Sequence, residues 1–495
     1  MHPEAEPPDR RRHPRRRPTA RAAAALSLAA ACLTPWFPAD ALAQREQRRI
    51  ERAVRSADLS YIPQVDTSLS LTERAMFEVG GFASLTFINL DDSDSNNRTL
   101  WQPEVTLYGR AIIDGGHTVF ARTRFQFREF SEGDSFDGRG DRWTEPFLER
   151  YWYDFDLRRL VAAYEGREQE WNVGVRVGRQ FVDWGQGLTL SETLYAVRPR
   201  ASFGRFGFEG LAGVTPTDES ITDFDASRRG FDNDTERAFF GGLARYAWRD
   251  LDEVYAYVLH MADWNSGNAP RAPIGPVDFD YDATYLGLGA RGTFTNTLLY
   301  EAEAVYQFGE SRSDPLRGVQ GAEDVSAWAA RAQLSKVFRD ERRSAVELEV
   351  LAASGDDDRL ITTDTVGGNA PGTDDTAFNS LGFVNTGLAF APSFSNLLQA
   401  RLGASTYLLR GTGGWGELQV GVDGFWFMKL DEDAPIEEAT TDDRQLGFEA
   451  DLYANWRLTS DLTLVARYGL FFPGDAIAGD SDARQFLYLG ATLSF

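Results

Sequence analysis

One cysteine, Cys32, occurs in 495 residues, and lysine occurs only at Lys336 and Lys429. No run approaches the roughly twenty apolar residues a membrane-spanning helix needs, and mean hydropathy is −0.37. The first shortage excludes a disulfide framework and Cys-based metal sites. The last excludes helical membrane spans. Histidine is also scarce: beyond the N-terminal region there are His117 and His260. With no Gly-x-Ser-x-Gly and no metal-ligand spacing, the chain presents no catalytic constellation, no cofactor motif and no metal centre. A formal charge of −24 argues against nucleic acid as a partner. The acidic clusters Asp91-Asp-Ser-Asp94 and Asp356-Asp-Asp358 read as solvated turns rather than calcium sites.

What is present begins with a leader. Arginines at 10–12, 15–17 and 21 precede an apolar run, Ala22–Leu33, and Ala41-Leu-Ala43 supplies small residues for cleavage. Residues 1–43 therefore read as a secretory signal peptide. Cys32 lies inside it, with Leu28 one position off for a lipid-attachment signal. Its seven arginines stand against Glu4, Glu6, Asp9 and Asp40, so the exported part is about three units more acidic. Residues 44–75 are charged and irregular and read as a periplasmic extension with a short helix.

From Met76 apolar residues recur at every second position. Val119, Ala121, Thr123, Phe125 and Phe127 share one face of a strand, and Arg122, Arg124, Gln126 and Arg128 the other. Tyr151, Tyr153, Phe155 and Leu157 alternate with Arg150, Asp154, Asp156 and Arg158. Leu446, Phe448, Ala450, Leu452 and Trp456 alternate with Gly447, Glu449, Asp451, Tyr453 and Asn455. The chain ends Phe486-Leu-Tyr-Leu-Gly-Ala-Thr-Leu-Ser-Phe495, again one oily and one wet face, closing on an aromatic residue. Charges at every second position cannot face lipid, so they face the inside of a closed sheet. Aromatics at 13% and 46 glycines suit a transmembrane β-barrel.

Short turns at 114–116, 249–252, 296–297, 339–342, 411–414 and 457–461 alternate with long polar loops at 91–99, 131–146, 183–202, 264–281, 310–324, 355–395, 430–443 and 472–483. Strict alternation requires a weak seventh strand at Ile221–Ala226 and treats 355–395 as one loop. The fold expected is a single all-β, antiparallel transmembrane barrel of eighteen strands over 76–495, with both termini periplasmic and long loops extracellular. Its surroundings would be outer-membrane lipid and lipopolysaccharide. A β-sandwich or propeller would instead show apolar inward faces and no short/long rhythm.

Eighteen strands enclose a water-filled lumen. Alternation places Arg122, Arg124, Arg128, Arg150, Arg176, Arg237, Arg245, Arg291, Arg331, Arg401 and Arg467 there, with Asp154, Asp156, Glu301, Glu303, Glu347, Glu349, Asp423, Glu449 and Asp451. Individual arginines are expected in cross-strand ion pairs that stiffen the wall. The surplus, planar forks suited to carboxylates, would recruit anions and repel cations.

Val177-Gly-Arg-Gln180, Trp184-Gly-Gln-Gly187 and Gly207-Phe-Glu-Gly210 are followed by Tyr285-Leu-Gly-Leu288, Tyr300-Glu-Ala-Glu303, Gln307-Phe-Gly309, Ala327-Trp-Ala329, Ala353-Ser-Gly-Asp356 and Thr376-Ala-Phe-Asn379. This ordered set, from about 170 to the C-terminus, resembles the alginate-export outer-membrane porins. The resemblance implies an eighteen-stranded barrel with an arginine-rich channel for an anionic uronate polysaccharide, and assigns Arg179 of the Gly-Arg-Gln motif to that channel. It implies passive export served by periplasmic partners. The alternative is a porin for uptake of small anions or acidic sugars.

Overall fold

The computed structural model describes residues 65–495 apart from 67, 71, 92–95, 132–139, 168, 217–236, 265–268, 272–274, 278–280, 315–316, 360–368, 411–415, 437 and 480. Eighteen antiparallel strands close into one barrel. They are β1 (Ala75–Asp91), β2 (Asn97–Ile113), β3 (His117–Phe130), β4 (Arg142–Asp156), β5 (Trp171–Trp184) and β6 (Leu190–Phe203). β7 (Phe206–Val214), β8 (Arg237–Arg249), β9 (Asp252–Asp263), β10 (Asp282–Thr295), β11 (Leu298–Arg312) and β12 (Ala322–Val337) follow. The remainder are β13 (Ala345–Ala353), β14 (Leu397–Arg410), β15 (Glu417–Lys429), β16 (Gln445–Arg457), β17 (Leu462–Pro473) and β18 (Arg484–Ser494). A two-stranded hairpin (269–271 with 275–277) lies in the loop before β10.

Closure is made by the chain's last strand. β18 pairs with both β17 and β1, and Phe495 exchanges two 2.9 Å backbone hydrogen bonds with Gly81. Closing the sheet on itself removes its first and last edges, although β4 pairs with β5 only over Tyr151–Asp156. Outward positions carry Val105, Leu107, Val177, Val197, Leu286, Leu288, Leu348, Val350, Leu402 and Leu452 in the middle. Trp101, Phe308, Trp328, Trp426 and Phe448 ring the loop end, and Phe77, Trp171, Phe203, Phe206, Trp248 and Phe495 the end where β1 begins and β18 finishes. Two aromatic girdles around an aliphatic band are what a bilayer selects.

The expected count of eighteen holds, and among the described residues the sixth and seventh strands are Leu190–Phe203 and Phe206–Val214. Residues 190–203, read as loop, form β6, in register with β5 along its whole length. Their sequence, Leu-Ser-Glu-Thr-Leu-Tyr-Ala-Val-Arg-Pro-Arg-Ala-Ser-Phe, is broken by a proline and buries both faces near the tip, so the two-residue period is blurred. The Ile221–Ala226 segment lies outside the described residues.

β4 also ends earlier than its alternation suggests. Asp156 caps a helix, α1 (Leu157–Glu165), by accepting a hydrogen bond from the Arg159 N–H at 3.1 Å, and Gly166 ends it in a left-handed conformation. Arg158 is thus helical rather than the last lumen residue of a strand. Ala163, fully buried, packs α1 against the Gly115–Gly116 turn, where a Cβ on Gly116 would meet Leu160 at 2.6 Å. In β16, a register shift beside Gly447 turns Leu446 inward, where it is buried, against its expected outward position.

The interior is not the open, water-filled tube expected. At the loop end, inward side chains form apolar clusters: Tyr255, Tyr257, Tyr285, Val305 and Leu351 on one side, Phe425, Phe427 and Phe471 on another. Two inserted segments complete them. One is the tip of the β5–β6 hairpin, with Val182, Trp184, Leu188, Leu190 and Leu194 buried. The other is the loop between β13 and β14, with Phe378 and Leu388 buried and Phe390 stacked on Phe471 at 4.2 Å. The inserts grip each other: Ser191 N–H donates to Leu381 O (2.8 Å), Phe383 N–H to Gly187 O (2.6 Å) and the Ser380 hydroxyl to Leu188 O (2.6 Å).

Candidate functional site

The inward face of β3–β8 is the arginine-rich wall. On β3 the two-residue period points Arg122, Arg124 and Arg128 inward, and all three are buried. Arg122 lies directly opposite Arg150 on β4, a like-charge pairing that would be unfavourable alone. A register shift between Arg122 and Thr123 brings Glu149 inward as well, and it takes both Arg122 (2.7 Å) and Arg124. Glu104 stands 3.7 Å from Arg124. Arg150 packs over the Phe181 ring at 5.3 Å.

Toward the end where β1 begins, Arg176 faces Asp154 across β4–β5 at 3.3 Å, its guanidinium 4.0 Å over Trp152. Arg200 takes the other Asp154 oxygen at 2.7 Å. Arg198 grips Glu209 at 2.5 Å, and the Trp184 indole N–H donates to the same carboxylate at 2.9 Å. Asp154, Arg176, Arg198, Arg200 and Glu209, with Arg159, Arg245 and Asp156, line a cavity of about 310 Å³. Arg198, Arg200, Glu209 and Glu149 were not among the expected lumen residues. The Val197-Arg-Pro-Arg200 alternation marks the two arginines, within a stretch that reads as loop; Glu149 turns inward only through the β4 register shift.

Arg179 lines neither this cavity nor the larger one described next. It falls on the Val177 side of β5, buried between the rings of Phe147 (5.7 Å) and Tyr195 (5.8 Å). β4–β5 pairing stops at Tyr151↔Arg179, whereas β5–β6 pairing runs on to Trp184↔Leu190. The Gly178-Arg-Gln180 motif is therefore the point where the hairpin leaves the wall. Gly178 has φ 130°, and a Cβ there would lie 2.3 Å from the Tyr151 carbonyl oxygen.

The opposite wall, β11–β17, encloses a cavity of about 520 Å³ lined by Glu301, Arg331, Glu347, Arg401, Asp423, Asp451 and Arg467, with Gln186, Asn385 and Leu388 of the inserts. Here charge is balanced, Arg343 making a fourth arginine against the four carboxylates. Arg401 is a hub: Asp423 at 2.8 Å, Glu347 at 3.0 Å and Glu349 at 3.4 Å. Arg331 pairs with Glu349 at 2.6 Å and reaches the Gln186 side-chain oxygen at 3.3 Å. Arg467 lies 5.7 Å over the Tyr453 ring.

Two expected lumen carboxylates hold the inserts instead of facing open space. Glu303 accepts hydrogen bonds from the hydroxyls of Tyr255 (2.7 Å) and Tyr257 (2.6 Å) and from the Gln186 N–H. Glu449 accepts the N–H groups of Leu388 (2.5 Å), Ala389 (2.8 Å) and Phe390 (2.8 Å). Tyr255, Tyr257 and the 387–390 segment carry no sequence signal, and Gln186 only that of the Trp184–Gly187 motif, because their roles exist only once the loops fold inward.

Asp356, Asp357 and Asp358 bring three carboxylates within 4.8 Å of one another. Asp356 is buried rather than solvated: it accepts the N–H groups of Asp358 (2.9 Å) and Thr376 (3.2 Å) and organises the start of the inserted loop. Burial and the neighbouring Asp375 carboxylate push its pKa up to about 6.

Residues 151–487 match the alginate export family. Solved structures with similar folds include OccK5 (OpdH) of Pseudomonas aeruginosa, at TM-score 0.52 and 10% identity, covering 85% of this chain and 98% of that one. OccK8 (OprE) of the same organism gives TM-score 0.50 at 9% identity, covering 85% and 98%. OpdK with vanillate, also from that organism, gives 0.50 at 12%, covering 86% and 99%. No curated protein sequence matches.

Proposed function

The chain belongs to the alginate export family, and on that premise we propose that it passes an anionic, uronate-type polysaccharide outward, delivered by periplasmic partners. It is an integral β-barrel of the Gram-negative outer membrane, with the architecture of a channel. The observation that carries the reading is the charge of the β3–β8 wall. Among the described residues, nine arginines of β3–β8 and α1 (122, 124, 128, 150, 159, 176, 198, 200 and 245) outnumber the five carboxylates that lie beside them or share their cavity, Glu104, Glu149, Asp154, Asp156 and Glu209. A surplus of guanidinium groups recruits carboxylates by paired hydrogen bonds, and the interspersed acids keep any one contact from becoming a trap.

The test is the reversal potential of the purified protein in planar bilayers under a salt gradient, followed by blockade with uronate oligomers. Preference for chloride, and block by the oligomers once the channel is open, are expected; a cation-selective channel overturns the reading.

Uptake of small anions or acidic sugars is the second reading. It draws on the inserts, which leave compartments of about 520 and 310 Å³, within the range of single small-ligand sites (about 300–1,000 Å³). Liposomes that admit monomeric uronate but never thread the polymer would favour it.

A further inference from the structure

We propose that the backbone N–H groups of Leu388–Phe390 form a carboxylate-binding nest, filled by Glu449 in this state, and that an arriving uronate carboxylate displaces Glu449 and frees the inserted loop. The ligand named rests on the export reading above; the latch itself rests on geometry alone.

Three successive amides converge on one carboxylate at 2.5–2.8 Å. Gly387, at φ 97°, supplies the left-handed residue that turns them to one side. Such runs of amides are general anion sites, and here a wall residue stands where an external anion would sit. Glu449 is held under opposing forces. The amides pull it, while Asp451 stands two positions along the same inward face and Asp423 lies directly opposite Asp451. Asp423 is neutralised by Arg401; the charge of Glu449 is met by the loop. Asp451 Oδ1 is buried beside the latch without a hydrogen-bond partner.

The nest borders the 520 Å³ cavity, which Leu388, Asn385 and Asp451 help to line. A carboxylate in that cavity meets the donors Glu449 now uses and offers them an equal acceptor. Sterically the latch depends on Gly469: a Cβ there would lie 2.8 Å from both Leu388 Cβ and Asp451 Oδ1. Gly469→Ala therefore lifts the loop without altering any charge, whereas Glu449→Gln weakens the latch without altering shape.

Single-channel recording of the full-length protein in planar bilayers tests this, with trigalacturonate and the neutral maltotriose as probes. Trigalacturonate is expected to raise wild-type conductance severalfold and maltotriose to leave it unchanged. Glu449→Gln and Gly469→Ala are expected to conduct severalfold more without any ligand and to show no further rise. The latch is refuted if both variants, running as heat-modifiable folded barrels, keep wild-type conductance. Equal opening by maltotriose, or open variants with a wild type indifferent to trigalacturonate, refutes carboxylate exchange. The export reading is judged separately, by whether trigalacturonate blocks current through the Glu449→Gln channel.

Discussion

Replacing Arg401 by glutamine separates structural pairing from anion recruitment. The Arg401 side chain is 2% exposed and is gripped by carboxylates from β13 and β15. Removing one partner of a buried ion pair costs about 3–5 kcal/mol, because the remaining charge is stranded. Two features place this case near the lower end. Glu349 keeps Arg331 at 2.6 Å, and the Glu347 side chain is 32% exposed and can hydrate. Asp423 has no such relief: it loses its 2.8 Å contact and faces Asp451 across the strand pair. We expect Arg401→Gln to lose about 3 kcal/mol of stability, followed by tryptophan fluorescence on urea unfolding in liposomes. Adding Asp423→Asn should return most of it. In bilayers the same single variant should move the reversal potential toward cations, since Glu347 and Asp423 then line the cavity unopposed. A change below about 0.5 kcal/mol, the level of a solvated surface pair, with an unmoved reversal potential, would refute the hub.

Further expectations concern the latches, the loop and the seam. Tyr255→Phe and Tyr257→Phe each remove a hydroxyl donor from buried Glu303, worth about 1.5–3 kcal/mol for a bond to a charged group; a double-mutant cycle with Glu303→Gln should show coupling, and strict additivity would exclude the cradle. Asp356 carries a folded-state pKa of about 6 against an ordinary 3.8, so the folded loop holds the proton more tightly than the unfolded chain. Its order should be greatest below about pH 4 and decline as pH rises through 6. Hydrogen exchange over 369–396 reads this, and Asp356→Asn should flatten the profile. Deleting Phe495 removes the two 2.9 Å bonds to Gly81 at the closing seam, so the heat-modifiable fraction should fall; an unchanged fraction would mean that the remaining β1–β18 ladder closes the barrel alone.

How much of this was legible in the sequence follows from which interactions are local. Strand count, closure and the outward face depend on period-2 patterning, which lipid enforces residue by residue, and Arg122, Arg124 and Arg128 turned inward as their alternation requires. The failures fall where a second influence competes with that period. At Asp156 the alternation continues by coincidence into Arg158, while a helix cap has already taken over. At Leu190–Phe203 the hairpin leaves the wall, so both faces become buried and the lipid constraint vanishes. At Glu303 and Glu449 the sequence gives an inward acid correctly but says nothing of its occupant, because that occupant is backbone N–H from a loop distant in the chain. Arg179 draws these points together. The motif that marks it is specific, yet its glycine is required because β4 and β5 touch there and then part, leaving the arginine wedged between two rings. A motif residue can thus shape the pore by directing a hairpin across it, without lining the pore itself. On that argument Arg179→Ala should alter the position of the hairpin, and through it conductance, more than it alters charge selectivity.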